Sequence, residues 1–189
     1  MDSGAVELLP PSRSREKVPR VSVWSPHSPR IMSESDEAYL GGFYAPLGVS
    51  IGHIGLLKSP LDTKPRFGAG VYATSERLFI IGPGKAAFPS ILNKIAPGSD
   101  KRDFVPSTLT KDQNQALIGV LAENRQFEFG RSQVARIEVK KPPGLLRTGS
   151  LRITSADGQT LDIRISLNMY YEWTVRPVEA FKPEALTLD

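Results

Sequence analysis

Apolar residues recur along this chain with two periods, and the switches between them mark its elements. Gly48–Lys58 alternates small and apolar positions, with Val49, Ile51, Ile54 and Leu56 as the apolar set, and predicts a first strand. Its glycines, Gly48, Gly52 and Gly55, point to a bulge or a curved strand. Gly70–Thr74 and Arg77–Ile81 are rich in β-formers, and only Ser75-Glu76 separates them, which is hairpin spacing. Gly82-Pro83-Gly84 then stops the second strand.

The period turns helical after that stop. Phe88, Ile91, Leu92 and Ile95 fall on one helical face, and Pro89 sits in the first turn, where its missing N–H costs nothing. Thr110-Lys111-Asp112-Gln113 has the form of a capping box, and Ala116, Leu117, Val120 and Leu121 supply the apolar stripe behind it. Between the two helices Pro97–Pro106 is polar and reads as an exposed loop. Strand periodicity returns at Gln126–Phe129, Val134–Lys140, Ser150–Thr154 and Thr160–Leu167. The last two flank Asp157-Gly158, read as a tight turn with both central residues at positive φ. Asn168–Phe181 predicts a closing helix, capped by Asn168 and either kinked at Pro177 or followed there by a second short helix, with Met169, Tyr170 and Trp173 on one face.

About seven hairpin-joined strands with a terminal amphipathic helix predict a mainly β, α+β fold: a small, partly open barrel plugged by Trp173 and Phe181. Helices do not alternate with strands, which disfavours a bundle or a βαβ fold. One domain is expected over 38–186, with a helical insertion at about 85–124 after the third strand. Met1–Glu37 differs from the rest. It holds Pro10-Pro11, Ser25-Pro26 and Ser28-Pro29, has no hydrophobic period, and reads as a disordered tail. Its Arg and Ser content suits a transit peptide, but Asp2, Glu7 and Glu16 weigh against one. Met1–Pro10 lacks the parts of a signal peptide. Met32 offers an alternative start.

Three segments resemble a known group. Gly70-Val71-Tyr72-Ala73-Thr74-Ser75-Glu76-Arg77-Leu78-Phe79-Ile80-Ile81 is similar to the strand–turn–strand of GRAM and prokaryotic PH-like domains. Phe129–Lys141 resembles the later strand of that group, and Gly149–Arg164, with its Asp-Gly hairpin, resembles the next segment of the group. The resemblance implies a seven-stranded barrel with a C-terminal helix, a role in binding phosphoinositides, other lipids or proteins, and no catalysis. Lys85–Asn124 departs from it, since the group has a short connection there.

Composition narrows the chemistry. The 189 residues include no cysteine, which excludes disulfides, thiolate zinc sites, iron–sulfur clusters and cysteine catalysis. The two histidines, His27 and His53, cannot make a multi-histidine metal site, and no cofactor is expected. Net charge is +4 with both signs interspersed and no long basic run, which weighs against a dedicated nucleic-acid binder. No apolar run approaches the roughly 20 residues of a membrane span. The expected location is cytoplasmic, with a peripheral place at a membrane left open.

Individual motifs mostly reduce to structure. Gly68-Ala69-Gly70-Val71-Tyr72-Ala73 matches G-x-G-x-x-A, but a hairpin follows where dinucleotide binding needs a helix. Gly82-Pro83-Gly84-Lys85 lacks most of a phosphate loop. His53 has no second histidine near it, and Asp100/Asp103 and Glu34/Asp36 read as solvated charges. Lys58, Lys64, Arg66 and Arg77 are the candidate ligand-binding residues, able to hold an anionic head group by charge-assisted hydrogen bonds; the plainer reading is solvated loop charge. Lys140, Lys141, Arg147 and Arg152 form a second basic cluster. Tyr39, Phe43 and Tyr44 suit core packing, or else a membrane interface. The function expected is a non-enzymatic binding module for a protein partner or an anionic lipid surface. The alternative is an assembly protein that self-associates through its sheet edge or its inserted helices. A small-ligand enzyme has no marker in its favour.

Overall fold

Strand β1 (Tyr39–Ile54) begins well before Gly48, where the alternation starts. The computed structural model describes residues 36–54, 66–99, 104–144 and 148–189, with the backbone alone at 52–54 and 66–67. Of the tail expected over 1–37, residues 1–35 lie outside the described residues, while Glu37 is buried and paired with Arg77. The early part of β1 hides from pattern reading because Tyr39, Phe43, Tyr44 and Ala45 are all buried, so its two faces do not alternate in polarity.

β1 pairs antiparallel with β2 (Arg66–Thr74), and β2 with β3 (Arg77–Ile81). The hairpin of β2 and β3 has its expected place, but neither Ser75 nor Glu76 takes positive φ, so its turn is not of the primed type. The Thr74 hydroxyl closes it instead, accepting the Arg77 N–H at 2.8 Å. Helices α1 (Phe88–Ile95) and α2 (Lys111–Asn124) fill the connection to β4 (Arg125–Gly130), which pairs with β3. The capping box of α2 forms as predicted: the Gln113 N–H donates to the Thr110 hydroxyl at 3.2 Å, and the Thr110 N–H donates to the Gln113 side chain at 3.0 Å. Its buried face is Leu117, Ile118 and Leu121, one position on from the predicted stripe, and Ala116 is exposed.

β5 (Val134–Lys140), β6 (Gly149–Ser155) and β7 (Thr160–Ile165) come next as an antiparallel meander, and then α3 (Asn168–Phe181) and β8 (Leu186–Leu188). The result is a mixed α+β protein with one open eight-stranded sheet, ordered β4-β3-β2-β1-β7-β6-β5-β8. The predicted helical insertion stands after the third strand. The eighth strand is new: three residues behind Pro183 are too short to show a period, and they run parallel along the outer edge of β5.

Two local expectations need correction. In the β6–β7 turn only Gly158 is at positive φ (83°), with Asp157 ahead of it at negative φ. The connection is longer than a two-residue turn, since the Ser155 N–H reaches the Gln159 carbonyl at 2.9 Å and the Gly158 N–H the Ser155 carbonyl at 2.9 Å. At α3, Leu167 occupies the capping position without a side-chain bond, and Asn168 is already helical. Helix α3 runs through Pro177 as one element, and Pro177 donates nothing to the Trp173 carbonyl.

The first half of the sheet is covered on both sides. Phe79 and Ile81 of β3, with Tyr39, Tyr44 and Tyr72, pack against Phe88, Leu92, Leu117 and Leu121 of the two inserted helices. Leu78 and Ile80 point to the opposite face by strand alternation, and α3 touches β1, β2 and β3 as well as β5 and β7. β3 is therefore buried from Leu78 to Ile81, which its unbroken apolar run Leu-Phe-Ile-Ile reflects. Phe181, one of the two expected plug residues, is fully buried at the end of α3.

Candidate functional site

β1 serves two partners in succession. Tyr39–Ala45 pairs with β2, and Val49–Ile54 also pairs with β7. Between them the register jumps from Ala45↔Ala69 to Ser50↔Phe67, so Pro46–Val49 bulges outward against Gly68 alone. Gly48 (φ 79°) and Gly68 (φ 92°) supply the left-handed backbone that the bend requires. One consequence is that no described strand covers the second edge of Tyr39–Ala45.

That edge opens into a cleft of about 210 Å³ between β1, α1 and α3. Leu40–Tyr44 form one wall, Trp173, Arg176 and Pro177 of α3 face them, and Pro89 and Phe104 close the end. Two glycines shape the strand wall. A Cβ on Gly42 would fall 2.4 Å from the Val71 carbonyl oxygen, so no side chain fits there; Gly41 has open space but sits at φ 121°. Aromatic contacts fix the rest. Phe43 stacks on Tyr170 with centroids 6.2 Å apart and meets the Trp173 ring edge at 5.9 Å, and Tyr39 lies 5.7 Å from Phe104.

Arg176, Tyr44 and Trp173, through its indole N–H, bring polar side-chain groups to the cleft. The Tyr44 hydroxyl is already engaged, donating to the Gly82 carbonyl at 3.4 Å and accepting the Lys85 N–H at 3.0 Å. The polar character of the cleft therefore comes from the Leu40–Phe43 main chain, the Trp173 indole N–H and Arg176. At about 210 Å³ it falls below the roughly 300–1,000 Å³ of sites that hold drug-sized ligands. It has room for a side chain and a short stretch of backbone.

The predicted anionic site looks different in the structure. Lys58 and Lys64 lie outside the described residues, and Arg66 is described only by its backbone at the start of β2. Arg77 is held within the fold: its guanidinium bonds Glu37 at 2.7 and 2.9 Å and Glu128 at 3.3 Å, and lies 4.9 Å above the Phe79 ring. Burial alone would lower its pKa; the hydrogen bonds and charges of Glu37 and Glu128 outweigh that and raise it, so the group stays charged. Glu128 also binds Arg125 at 2.6 Å, and the Thr74 hydroxyl donates to Glu37. Of the second basic cluster, Lys140 pairs with Asp189 at 3.3 Å and Arg152 with Asp162 at 2.7 Å, while Arg147 lies outside the described residues. The His53 side chain and Asp100/Asp103 also lie outside them.

Gly68 and Gly70 stay inside β2 and run into a hairpin, so the G-x-G-x-x-A match has no helix behind it. Gly70 is glycine because a Cβ would come within 2.9 Å of the Phe43 carbonyl. Sequence reasoning named Trp173 as a plug and missed Leu40–Gly42, Phe104 and Arg176. The available signal was Tyr39-Leu40-Gly41-Gly42-Phe43-Tyr44, two glycines bracketed by aromatics.

The fold and site thus define an α+β protein with an open eight-stranded sheet and an aromatic-walled cleft beside a half-free strand. Set against family models, curated proteins and solved structures, the chain matches none.

Proposed function

We propose that the chain is a non-enzymatic binding module of PH-like architecture, and that it holds an extended segment of a protein partner in the cleft between β1 and α3. The observation that carries this reading is the second edge of Leu40–Tyr44, which has no described strand and opens onto the cleft next to the Tyr39 N–H that Asn114 holds. A strand edge presents alternating N–H and C=O groups, which an added strand satisfies at little geometric cost. One apolar or aromatic side chain of the segment fits against Phe104, Trp173 and Pro177, and an acidic neighbour meets Arg176. In favour of the PH-like architecture stand the bent first strand shared by two halves of the sheet, the hairpin order and the helix that closes it.

Of the basic residues singled out in the sequence, three described ones favour a protein segment over a lipid head group at their own positions. Arg77, Lys140 and Arg152 each have a carboxylate partner already. Self-association through the inserted helices finds less support, since Phe88, Leu92, Leu117, Ile118 and Leu121 pack inside the chain.

The test is a peptide-display selection on the full chain, followed by calorimetry of a selected peptide. Trp173→Ala and Arg176→Glu should each weaken that peptide by about tenfold or more, in the range of interface anchors. A selection that enriches nothing, or peptides that bind both variants as tightly as the parent, would refute the reading. Thermal melts of the variants separate lost binding from lost folding.

A further inference from the structure

The strand edge that opens onto the cleft is short, and both its ends are closed. At the start of β1 the Asn114 side chain occupies it: Oδ1 accepts the Tyr39 N–H at 2.7 Å, and Nδ2 donates to the Glu37 carbonyl at 2.6 Å. The Ala38 carbonyl between them faces β2, where it accepts the Ser75 N–H at 2.8 Å. Glu37 and Tyr39 thus offer their groups on the side away from β2, and one amide takes both as a neighbouring strand would. At the other end Pro46 has no N–H to offer, and from Val49 the edge belongs to β7. An added strand pairs with Leu40–Ala45 at most, and Asn114 stops it.

Helix α3 decides which charge stands at that stop, because it runs back along β1. Just ahead of it the Ser166 N–H donates to the Gly48 carbonyl at 2.7 Å, and then Tyr170 and Trp173 meet Phe43. Just behind it Lys182 Nζ donates to the Arg131 carbonyl at 2.9 Å, and the Arg131 N–H donates to the Glu76 carbonyl at 2.8 Å. Glu76 lies in the β2–β3 turn, beside the Ser75 that bonds Ala38. Arg176 and Pro177, one turn beyond Trp173, therefore line the cleft toward Leu40, where Phe104 packs on Tyr39 and closes the way with Pro89. The closed end of the cleft is the end that carries the guanidinium.

A segment added along Leu40–Ala45 can run in either direction. Antiparallel to β1 it brings its C-terminal end to the stop, and parallel to β1 its N-terminal end. A segment that continues there must turn sharply away from Phe104, Pro89 and the Asn114 amide. A chain that ends there needs no turn, and its terminal charge then sets the direction: a carboxylate is attracted by Arg176, an ammonium repelled. No Asp or Glu lines the cleft among the described residues, so nothing there offsets the repulsion. Arg176 is engaged within the chain as well, and its five N–H donors can serve a second acceptor.

We propose that the cleft recognises the free C-terminus of a partner polypeptide, laid antiparallel to β1 along Leu40–Ala45 with its α-carboxylate on Arg176. This rests on the strand-addition reading and adds to it the direction of the strand and the group that ends it. The experiment selects binders to the full chain from two libraries of random octapeptides, one displayed with free C-termini and one held between fixed flanks. A selected free-ended peptide is then made as the acid, as the C-terminal amide and as the N-acetylated acid, and each is titrated by calorimetry. The amide should bind about tenfold or more weakly than the acid, because it loses charge-assisted hydrogen bonds. Acetylation of the N-terminus, which lies away from the stop, should change affinity by less than about twofold. Arg176→Gln should shrink the preference for acid over amide to about threefold or less, and Arg176→Lys should keep part of it. Circular dichroism checks that both variants fold, and the comparison of acid with amide on the parent chain needs neither. Binders that come only from the flanked library, or that bind equally as acid and amide, overturn the C-terminal proposal and leave strand addition standing. A preference for the acid that survives Arg176→Gln intact also overturns it. No binder from either library overturns both readings.

Discussion

Removing the Arg77 guanidinium should unfold this protein more readily than it disturbs any ligand. Glu37 is only 6 % exposed, and its carboxylate is matched by two Arg77 nitrogens and the Thr74 hydroxyl. Arg77→Ala leaves that carboxylate buried with the hydroxyl alone. Breaking a buried pair in this way costs about 3–5 kcal/mol, against roughly 0–1 kcal/mol for a surface pair. Arg77 itself is partly exposed, with a side-chain accessibility of 18 %, and Glu128 shares it, so the lower end of the buried range, about 3 kcal/mol, is the better expectation. In a chain of this size that corresponds to a melting temperature lower by about 6–12 °C. Urea titration followed by circular dichroism measures the loss, and a double-mutant cycle apportions it. Glu37→Gln combined with Arg77→Met should cost less than the sum of the two single changes, because the second substitution no longer strands a charge. A cost below about 1 kcal/mol for Arg77→Ala would refute the argument and return Arg77 to the class of solvated surface charges.

Leu92→Ala tests whether the inserted helices belong to the core. Leu92 is fully buried among Tyr72, Phe79 and Leu117, so the change should cost about 2–5 kcal/mol in denaturant titration; a loss within about 0.5 kcal/mol would make α1 a loose appendage. At the β6–β7 turn, the Ser155 hydroxyl, followed by Gln159, holds the Asp157 carboxyl below its usual pKa. A depressed carboxyl adds stability above its unfolded pKa and loses it as pH falls through the folded value. Ser155→Ala should therefore be the less stable chain at neutral pH, with the gap to the parent closing in acid. A gap that stays constant from neutral pH down to the acid transition would show that Asp157 is not involved.

The parts of the fold that were legible were those written in short stretches of chain. The hairpin of β2 and β3, the start of α1 at Phe88, the Thr110 capping box and the strands of the meander all rest on residues within a few positions of one another. Side-chain period and end chemistry suffice for these, because each face meets one environment. Expectations failed where a competing bond nearby or a partner far away took over. Ser155 and Gln159 lengthened a turn that Asp157-Gly158 alone would have made tight. Asn168 looks like a cap, yet the chain leaves β7 so directly that the helix begins at Asn168 itself.

The sequence by itself determined the class of elements, their order, the position of the helical insertion and the identity of most core residues, since burial of an apolar face is decided locally by spacing. Only the tertiary structure decided which edges are paired. The early half of β1 carries no alternation because it is buried on both faces, and its boundary came from β2, β7 and the Asn114 side chain, which accepts the Tyr39 N–H at 2.7 Å and donates to the Glu37 carbonyl at 2.6 Å. β8 exists because β5 had an edge left for it. The cleft gathers residues 40–44, 89, 104, 173, 176 and 177. Such groupings depend on the register of strands and on where a bulge places the next residue, and a register is a relation between distant segments that no single stretch of chain contains.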